Sequence, residues 1–311
     1  MNALLDVILP VFLIIGAGYF AAWRKIVDAA AVNGIMRFAQ NFAVPVLLFR
    51  SVSKLDLAQS YDPALLISFY SGALAAGALG YFGARLLFDR SPADAVAIAF
   101  VASFSNSLLL GLPITERAYG AEALAGNYAI ISIHSPVLYG IGITLMEIVR
   151  SRGEGLAKAA LAQRVLKSIF TQPLVIGILC GFAVNLTGLP LPGVVTSAVD
   201  MMVKAAIPAA LFGLGGVLLR YRPEGDMKTI AYLSLLTLII HPAITFGLGH
   251  ALGLNTDQMR SAVITAAMAP GVNAFLFANM YGVAKRVAAS TVLLATAGTI
   301  ITAWGWLHVL P

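Results

Sequence analysis

Residues 101–120, VASFSNSLLLGLPITERAYG, decide the fold. They open as an apolar helix, meet the polar triplet Ser105-Asn106-Ser107, resume through residues 108–113 and end at Tyr119-Gly120. A second stretch, residues 266–282 (AAMAPGVNAFLFANMYG), has the same pattern: an apolar helix breaks at Pro270-Gly271-Val272-Asn273, resumes, and closes at Tyr281-Gly282. Interrupted hydrophobic segments at corresponding positions of two halves are a sequence pointer to a transporter's binding site. Two conditions must then hold: the composition must suit a membrane, and the chain must have halves.

The first condition is met. Of 311 residues, 59% are hydrophobic and 11% charged, less than half of the roughly 25% charge usual in soluble domains. Apolar runs of about 20 residues, enough to cross about 30 Å of hydrocarbon, recur along the whole length. The net charge of +6 lies largely in short connections between those runs. It therefore speaks for orientation in a lipid bilayer and not for a nucleic-acid partner. A lone Cys180 excludes an internal disulfide, and no Cys/His cluster or acidic triad has metal-ligand spacing. No metal or cofactor is expected. The first segment lacks a basic leader and carries Asp6, so it is expected to span and not to be a cleaved signal.

Ten segments follow one another. They lie at about 3–22, 32–52, 63–88, 93–119 (broken), 127–149, 165–186, 194–219, 229–252, 258–281 (broken) and 287–309. The third carries Gly72, Ala76, Gly80 and Ala84 at four-residue spacing, a stripe that lets a neighbouring helix approach closely. Residues 151–163 form the one notable hydrophilic connection. With the N-terminus outside, the inner connections hold Arg24, Lys25, Arg85, Arg90, Arg150, Arg152, Lys158, Arg164, Lys167, Arg220, Arg222, Lys228, Lys285 and Arg286. The outer ones hold Arg50, Lys54, Arg117 and Arg260, while Arg37 and Lys204 fall inside segments. That bias puts both termini on the outer side.

The second condition is met by a shift of 163 residues. It carries Pro10 onto Pro173, Gly18 onto Gly181 and Pro45 onto Pro208. Residues 42–49 (FAVPVLLF) likewise resemble residues 205–212 (AAIPAALF). Five segments per half is an odd number, so the second half enters the membrane upside down. The expected fold is an all-α integral membrane protein: ten transmembrane helices as a 5+5 inverted repeat, with broken segments 4 and 9 crossing near the midplane. Its expected divisions are residues 1–150 for the first repeat, 151–163 for a cytoplasmic linker and 164–311 for the second repeat.

Breaks at that depth have a physical use. Backbone without helical partners survives in a membrane only where it is buried in protein or lines a polar cavity. The N-terminal ends of the resumed half-helices present N–H groups and partial positive charge to an anion. Asn106, Ser107 and Asn273 add donors without a fixed charge. The candidate substrate-binding residues are Ser105, Asn106, Ser107, Pro270, Gly271, Val272, Asn273 and His134. As an intramembrane titratable group, His134 is balanced between a proton carrier and a neutral packing residue. His241 precedes Pro242 and reads as structural. Pro45 and Pro208 read as kinks, and Asp200 with Lys204 as a mutually neutralising i, i+4 pair. Glu116 and Arg117 read as a solvated helix end.

These residues carry a resemblance. Ser105-Asn106-Ser107-Leu-Leu-Leu-Gly111-Leu-Pro113, closing with Ala-Tyr-Gly, resembles the fourth-helix motif of the auxin efflux carrier family. Pro270-Gly271-Val272-Asn273, followed by Phe275, Phe277 and Tyr281, is similar to its ninth-helix partner. The resemblance covers the whole chain and implies the fold of bile-acid symporters and sodium/proton antiporters. It also implies a scaffold of segments 1, 2, 6 and 7, often a homodimer contact, and an elevator-like transport domain from segments 3–5 and 8–10. Asn106 would contact the substrate carboxylate. Ser105 stands where plant members typically have proline, and the central connection is short. Both features resemble bacterial members linked to malonate, malate and other small carboxylates, in a bacterial inner membrane.

The expected function is thus a secondary carrier of small organic anions, uncoupled or coupled to protons through His134. A cation-coupled symporter or antiporter of the same fold would need a carboxylate at the breaks, and neither break contains Asp or Glu. An intramembrane enzyme would need a base at helical spacing from Ser105 or Ser107, or paired aspartates, and neither is present.

Overall fold

Aspartate, serine and asparagine side chains set five of the helix starts. Asp28, Asp62, Ser91, Asp226 and Asn255 each accept a hydrogen bond from a first-turn N–H. Pro63, Pro92 and Pro173 occupy first-turn positions, where a missing N–H costs nothing. In the computed structural model, which describes residues 4–151 and 158–311, these starts give an all-helical chain. We number the main helices α1 (Leu4–Trp23), α2 (Ala29–Val52), α3 (Pro63–Leu86), α4 (Pro92–Ser103), α5 (107–119), α6 (Ala125–Arg150) and α7 (Lys158–Phe170). They continue as α8 (Pro173–Thr187), α9 (Gly193–Leu218), α10 (Met227–Ala251), α11 (Thr256–Ala266), α12 (Val272–Tyr281) and α13 (Lys285–Val309). Among the described residues, seven helices are long and apolar enough to cross a membrane: α1, α2, α3, α6 with the turn before it, α9, α10 and α13. α4 and α8 are shorter apolar helices.

Two boundaries differ from the sequence expectation. The sixth segment does not begin at residue 165, because the chain turns at Thr171-Gln172 and α8 starts at Pro173. Proline cannot donate into a preceding turn, so the helix restarts there. Of the 151–163 connection, residues 152–157 lie outside the described residues, and the chain is already helical from Lys158.

Four helices widen just before a proline, the first of them at Leu4–Ile8 ahead of Pro10. The N–H of Val44 reaches Ala39 O, that of Leu112 reaches Ser107 O, and that of His241 reaches Leu236 O, each five residues back. Pro45, Pro113 and Pro242 follow immediately. A proline ring in a regular helix collides with the carbonyl four residues earlier and leaves it unpaired; one wide turn relieves both faults without breaking the span.

Small residues let the helices pack at backbone distance. A Cβ at Gly18 of α1 would strike the Phe212 carbonyl of α9, and one at Gly215 would strike the Ile15 carbonyl. A Cβ at Gly181 of α8 would meet the Phe49 carbonyl of α2 at 2.9 Å. The glycine stripe of α3 serves two neighbours. Gly72 faces Thr245 and His241 of α10, and Gly80 faces Ala102 of α4. By contacts, α1, α2, α8 and α9 pack mainly on one another, while α3 packs on α4 and α10, and α6, α11 and α13 complete that second group.

Helix ends gather at two faces. At one, Arg90 bonds Asp226 at 3.1 Å, Arg220 bonds Ala29 O at 2.9 Å, and the Ala284 N–H donates to Asp94 at 2.7 Å. At the other, the Gln258 amide donates to Asp62 at 2.8 Å and Arg260 to Pro311 O at 2.7 Å. Arg50 grips Asp200 with both ends of its fork, at 2.6 and 3.1 Å. The expected Asp200–Lys204 pair is therefore corrected. The guanidinium matches a carboxylate in two parallel bonds, which an ammonium one helical turn away cannot do. Arg117 is likewise more than a solvated end, since it donates to the main-chain oxygens of Asp6 and Val7.

Candidate binding site at the two helix breaks

α4 stops at Ser103 and α5 starts at residue 107; α11 stops at Ala266 and α12 starts at Val272. The two gaps lie side by side. Asn106 N–H donates to Ala269 O at 2.8 Å and Gly271 N–H donates to Phe104 O at 3.3 Å, framing an antiparallel bridge between Ser105 and Pro270. Pro270 has no N–H to give, and its place between the two bonded pairs asks for none. Each break thus satisfies part of the other's exposed backbone, which a bilayer would otherwise penalise.

Local chemistry fixes the rest. The Asn106 Oδ1 accepts from Leu109 N–H at 3.3 Å and caps α5. Its amide nitrogen has no hydrogen-bond partner among the described residues. The hydroxyls of Ser105 and Ser107 bond each other at 2.8 Å. Gly271 precedes α12 without any side-chain cap, so the first N–H groups of that half-helix stay open. Tyr139 of α6 reaches the Asn273 carbonyl at 3.4 Å. Deeper in, Asn127 donates to Thr115 at 3.1 Å and to Thr265 at 2.9 Å, tying α6 to α5 and α11.

A cavity of about 330 Å³ opens at this junction. Ser105, Asn106, Ser107, His134, Gly271, Val272 and Asn273 all line it. Pro270 alone of the eight expected residues does not; it is buried behind the wall. His134 is 3% exposed, and its ring stands edge-on to Phe104 at 4.6 Å. Neither of its ring nitrogens has a well-formed hydrogen bond among the described residues, though the Ser105 backbone lies nearby. Among the described residues, no Asp or Glu lines the cavity. His241 lies outside it, buried against Phe69 at 5.2 Å.

The sequence reading missed part of the wall. Gln40, Asn41 and Val44 come from α2, Gln172 to Leu174 from the start of α8, and Ser135 and Tyr139 from α6. The adjacent amides Gln40-Asn41 inside an apolar segment were an available signal, because polar side chains at membrane depth face protein or water.

Long apolar helices, two mutually paired breaks and a polar cavity between them define an integral membrane transporter. The chain belongs to the membrane transport protein family, whose profile matches residues 3–307 and which takes in the auxin efflux carriers. It is 25% identical over 305 residues to the uncharacterized transporter YfdV of Escherichia coli K12, covering 97% of this chain and 96% of that protein. It is 24% identical to a putative malonate transporter of Rhizobium meliloti, covering 100% and 97%. It is also 20% identical to auxin efflux carrier component 8 of Arabidopsis thaliana, covering 91% of each. Family and relatives are transporters and not enzymes.

Proposed function

We propose that this transporter is a secondary carrier of small organic anions and binds a carboxylate in the cavity between the two breaks. One observation carries the reading: two half-helix N-termini and the amide nitrogen of Asn106, unpartnered among the described residues, meet at one cavity whose described lining holds no Asp or Glu. Open N–H groups with the helix dipole behind them are a ready anion site. The cavity is of a size usual for small ligands. The name of the Rhizobium meliloti relative favours small dicarboxylates such as malonate.

The architecture that goes with it is the ten-segment inverted repeat, residues 1–150 and 164–311, with α4–α5 and α11–α12 each counting as one crossing segment. Support comes from a swapped pair of contacts. Gly18 packs on Phe212 and Gly181 on Phe49, and the shift of 163 carries each partner onto its counterpart. The packing groups agree with a scaffold of α1, α2, α8 and α9, which by the family resemblance would also carry a homodimer contact. α3–α6 and α10–α13 then form the moving transport domain. The cavity is walled by both groups, as an elevator mechanism needs. Both termini would face the outside of a bacterial inner membrane.

Coupling to protons through His134 is a second reading, favoured by its weakly partnered ring at the cavity wall. The carboxylate site is tested with Asn273→Cys in a Cys180→Ser background. Small mono- and dicarboxylates are screened for protection of that thiol against a maleimide. Protection by at least one carboxylate, lost in Asn106→Asp, is the expected result. Equal labelling with and without every acid would contradict the site.

A further inference from the structure

A second cavity, of about 600 Å³, adjoins the first and shares Gln40, Val272 and Leu276 with it. Among the described residues, its charged lining is Arg37, Arg220, Arg222, Lys285, Arg286 and a single carboxylate, Glu224. Glu224 lies 3.9 Å from Arg222. Arg37, Lys285 and Arg286 have no carboxylate partner among the described residues. The opposite face also has a large cavity, of about 1040 Å³, but its balance is reversed. Arg50 and Lys54 are set there against Asp56, Glu122, Asp200 and Asp257, and Arg50 is already paired with Asp200. That cavity shares no wall residue with the binding cavity.

Inner-face cations are expected in any membrane protein, and two features separate these from simple orientation signals. Arg37 is not in a loop: it lies eight residues into α2, about 12 Å along the axis. It stands on the face that also carries Asn33, Gln40 and Asn41, so one polar stripe runs from the vestibule to the binding cavity. Lys285 and Arg286 open α13 with no acidic residue in its first turn. A helix start favours acids over bases, so two bases there oppose the helix's own preference.

We infer that this vestibule is an anion-collecting antechamber that feeds carboxylates to the two-break cavity from the basic face. The inference rests on the proposed carboxylate site and adds the side from which ligand enters and its preferred charge. Charge-lined clefts reach potentials of several kT; at only about one kT, a monoanion is enriched about threefold and a dianion about sevenfold. Dicarboxylates therefore gain most. Positive-inside topology makes the basic face cytoplasmic, which favours loading for export.

The test needs no knowledge of the substrate. Gln40→Cys, on the wall between the cavities, is placed in the Cys180→Ser background and reconstituted in phosphatidylcholine vesicles. Its reaction rates with an anionic sulfonatoethyl and a cationic trimethylammonioethyl methanethiosulfonate are compared, each normalised to a free small thiol. About one kT of positive potential predicts a preference near sevenfold for the anionic reagent. Arg37→Gln/Lys285→Gln/Arg286→Gln should remove most of that preference, and so should 1 M salt on the unaltered lining, a control that needs no folded variant. Gln59→Cys, in the opposite cavity, should not show it. A ratio near one at Gln40→Cys, or one indifferent to both charge removal and salt, overturns the antechamber. Added phosphatidylglycerol distinguishes the anion's source. A preference that persists supports a soluble anion, and one that vanishes assigns the cations to a lipid headgroup and overturns the inference. Failure here, with carboxylate protection at Asn273→Cys retained, rejects the antechamber and leaves the binding site standing.

Discussion

Asn106 has an observed role and a proposed one, and substitutions can separate them. Its Oδ1 caps α5 through Leu109 N–H at 3.3 Å, and its amide nitrogen is the proposed donor to the carboxylate. Asn106→Ala removes both. A lost N-cap costs about 0.5–2 kcal/mol, and a bond at the long end of the range puts this one near the lower half, about 1 kcal/mol. A charge-assisted hydrogen bond to a carboxylate is worth about 1.5–3 kcal/mol, roughly ten- to a hundred-fold in affinity. Alanine suits the interior of a helix but cannot replace the cap at its start. Asn106→Asp keeps an acceptor at the cap, where an acid is favoured, and replaces the donor with a negative charge. Carboxylate affinity in detergent and thermal unfolding should be measured on the same preparations. Alanine should weaken both. Aspartate should hold stability near that of the unaltered chain and lose binding beyond the alanine value. Undiminished carboxylate affinity in the aspartate variant would refute the role given to this amide.

Three further outcomes are expected. His134→Gln keeps a polar side chain but cannot titrate, so proton coupling predicts a flattened pH profile of transport; an unchanged profile makes His134 a packing residue. The Thr229 hydroxyl, the backbone N–H groups of Lys228 and Thr229 and the Arg90 guanidinium hold the Asp226 carboxyl below the usual carboxylate range. A depressed pKa stabilises the fold above the ordinary value and is lost as pH falls through the folded value. Asp226→Asn, which keeps a cap, should therefore melt below the unaltered chain near pH 7, and the gap should close below about pH 4. In the Cys180→Ser background, cysteine at Leu189 should label from outside and cysteine at Glu224 from inside; the reverse would overturn the orientation.

The two breaks were legible because hydrocarbon punishes unpaired backbone. Ser105-Asn106-Ser107 and Pro270-Gly271 stand out in otherwise apolar segments, and six of the seven residues chosen on that ground meet at one cavity, where His134, chosen as an intramembrane histidine, joins them. Their direct pairing was not legible, since nothing local to Ser105 specifies Pro270 as its neighbour. Gln40 and Asn41 carried a signal that was passed over. Pro173 did too: the first-turn preference that places the start of α3 at Pro63 also places the start of α8. Arg50 and Asp200 sit 150 residues apart, beyond the reach of any helical spacing rule. The widened turns ahead of Pro45, Pro113 and Pro242 depend on how far the neighbouring helices let the chain swell, which the proline alone does not state.

The most direct measurement is uptake into proteoliposomes across a panel of small mono- and dicarboxylates, with and without pH and sodium gradients. The unaltered chain and Asn106→Asp are compared at matched protein density. The carboxylate site predicts saturable uptake of at least one acid by the former and uptake at the level of empty vesicles by the latter. Uptake of none of the acids, or equal uptake by both proteins, would contradict it.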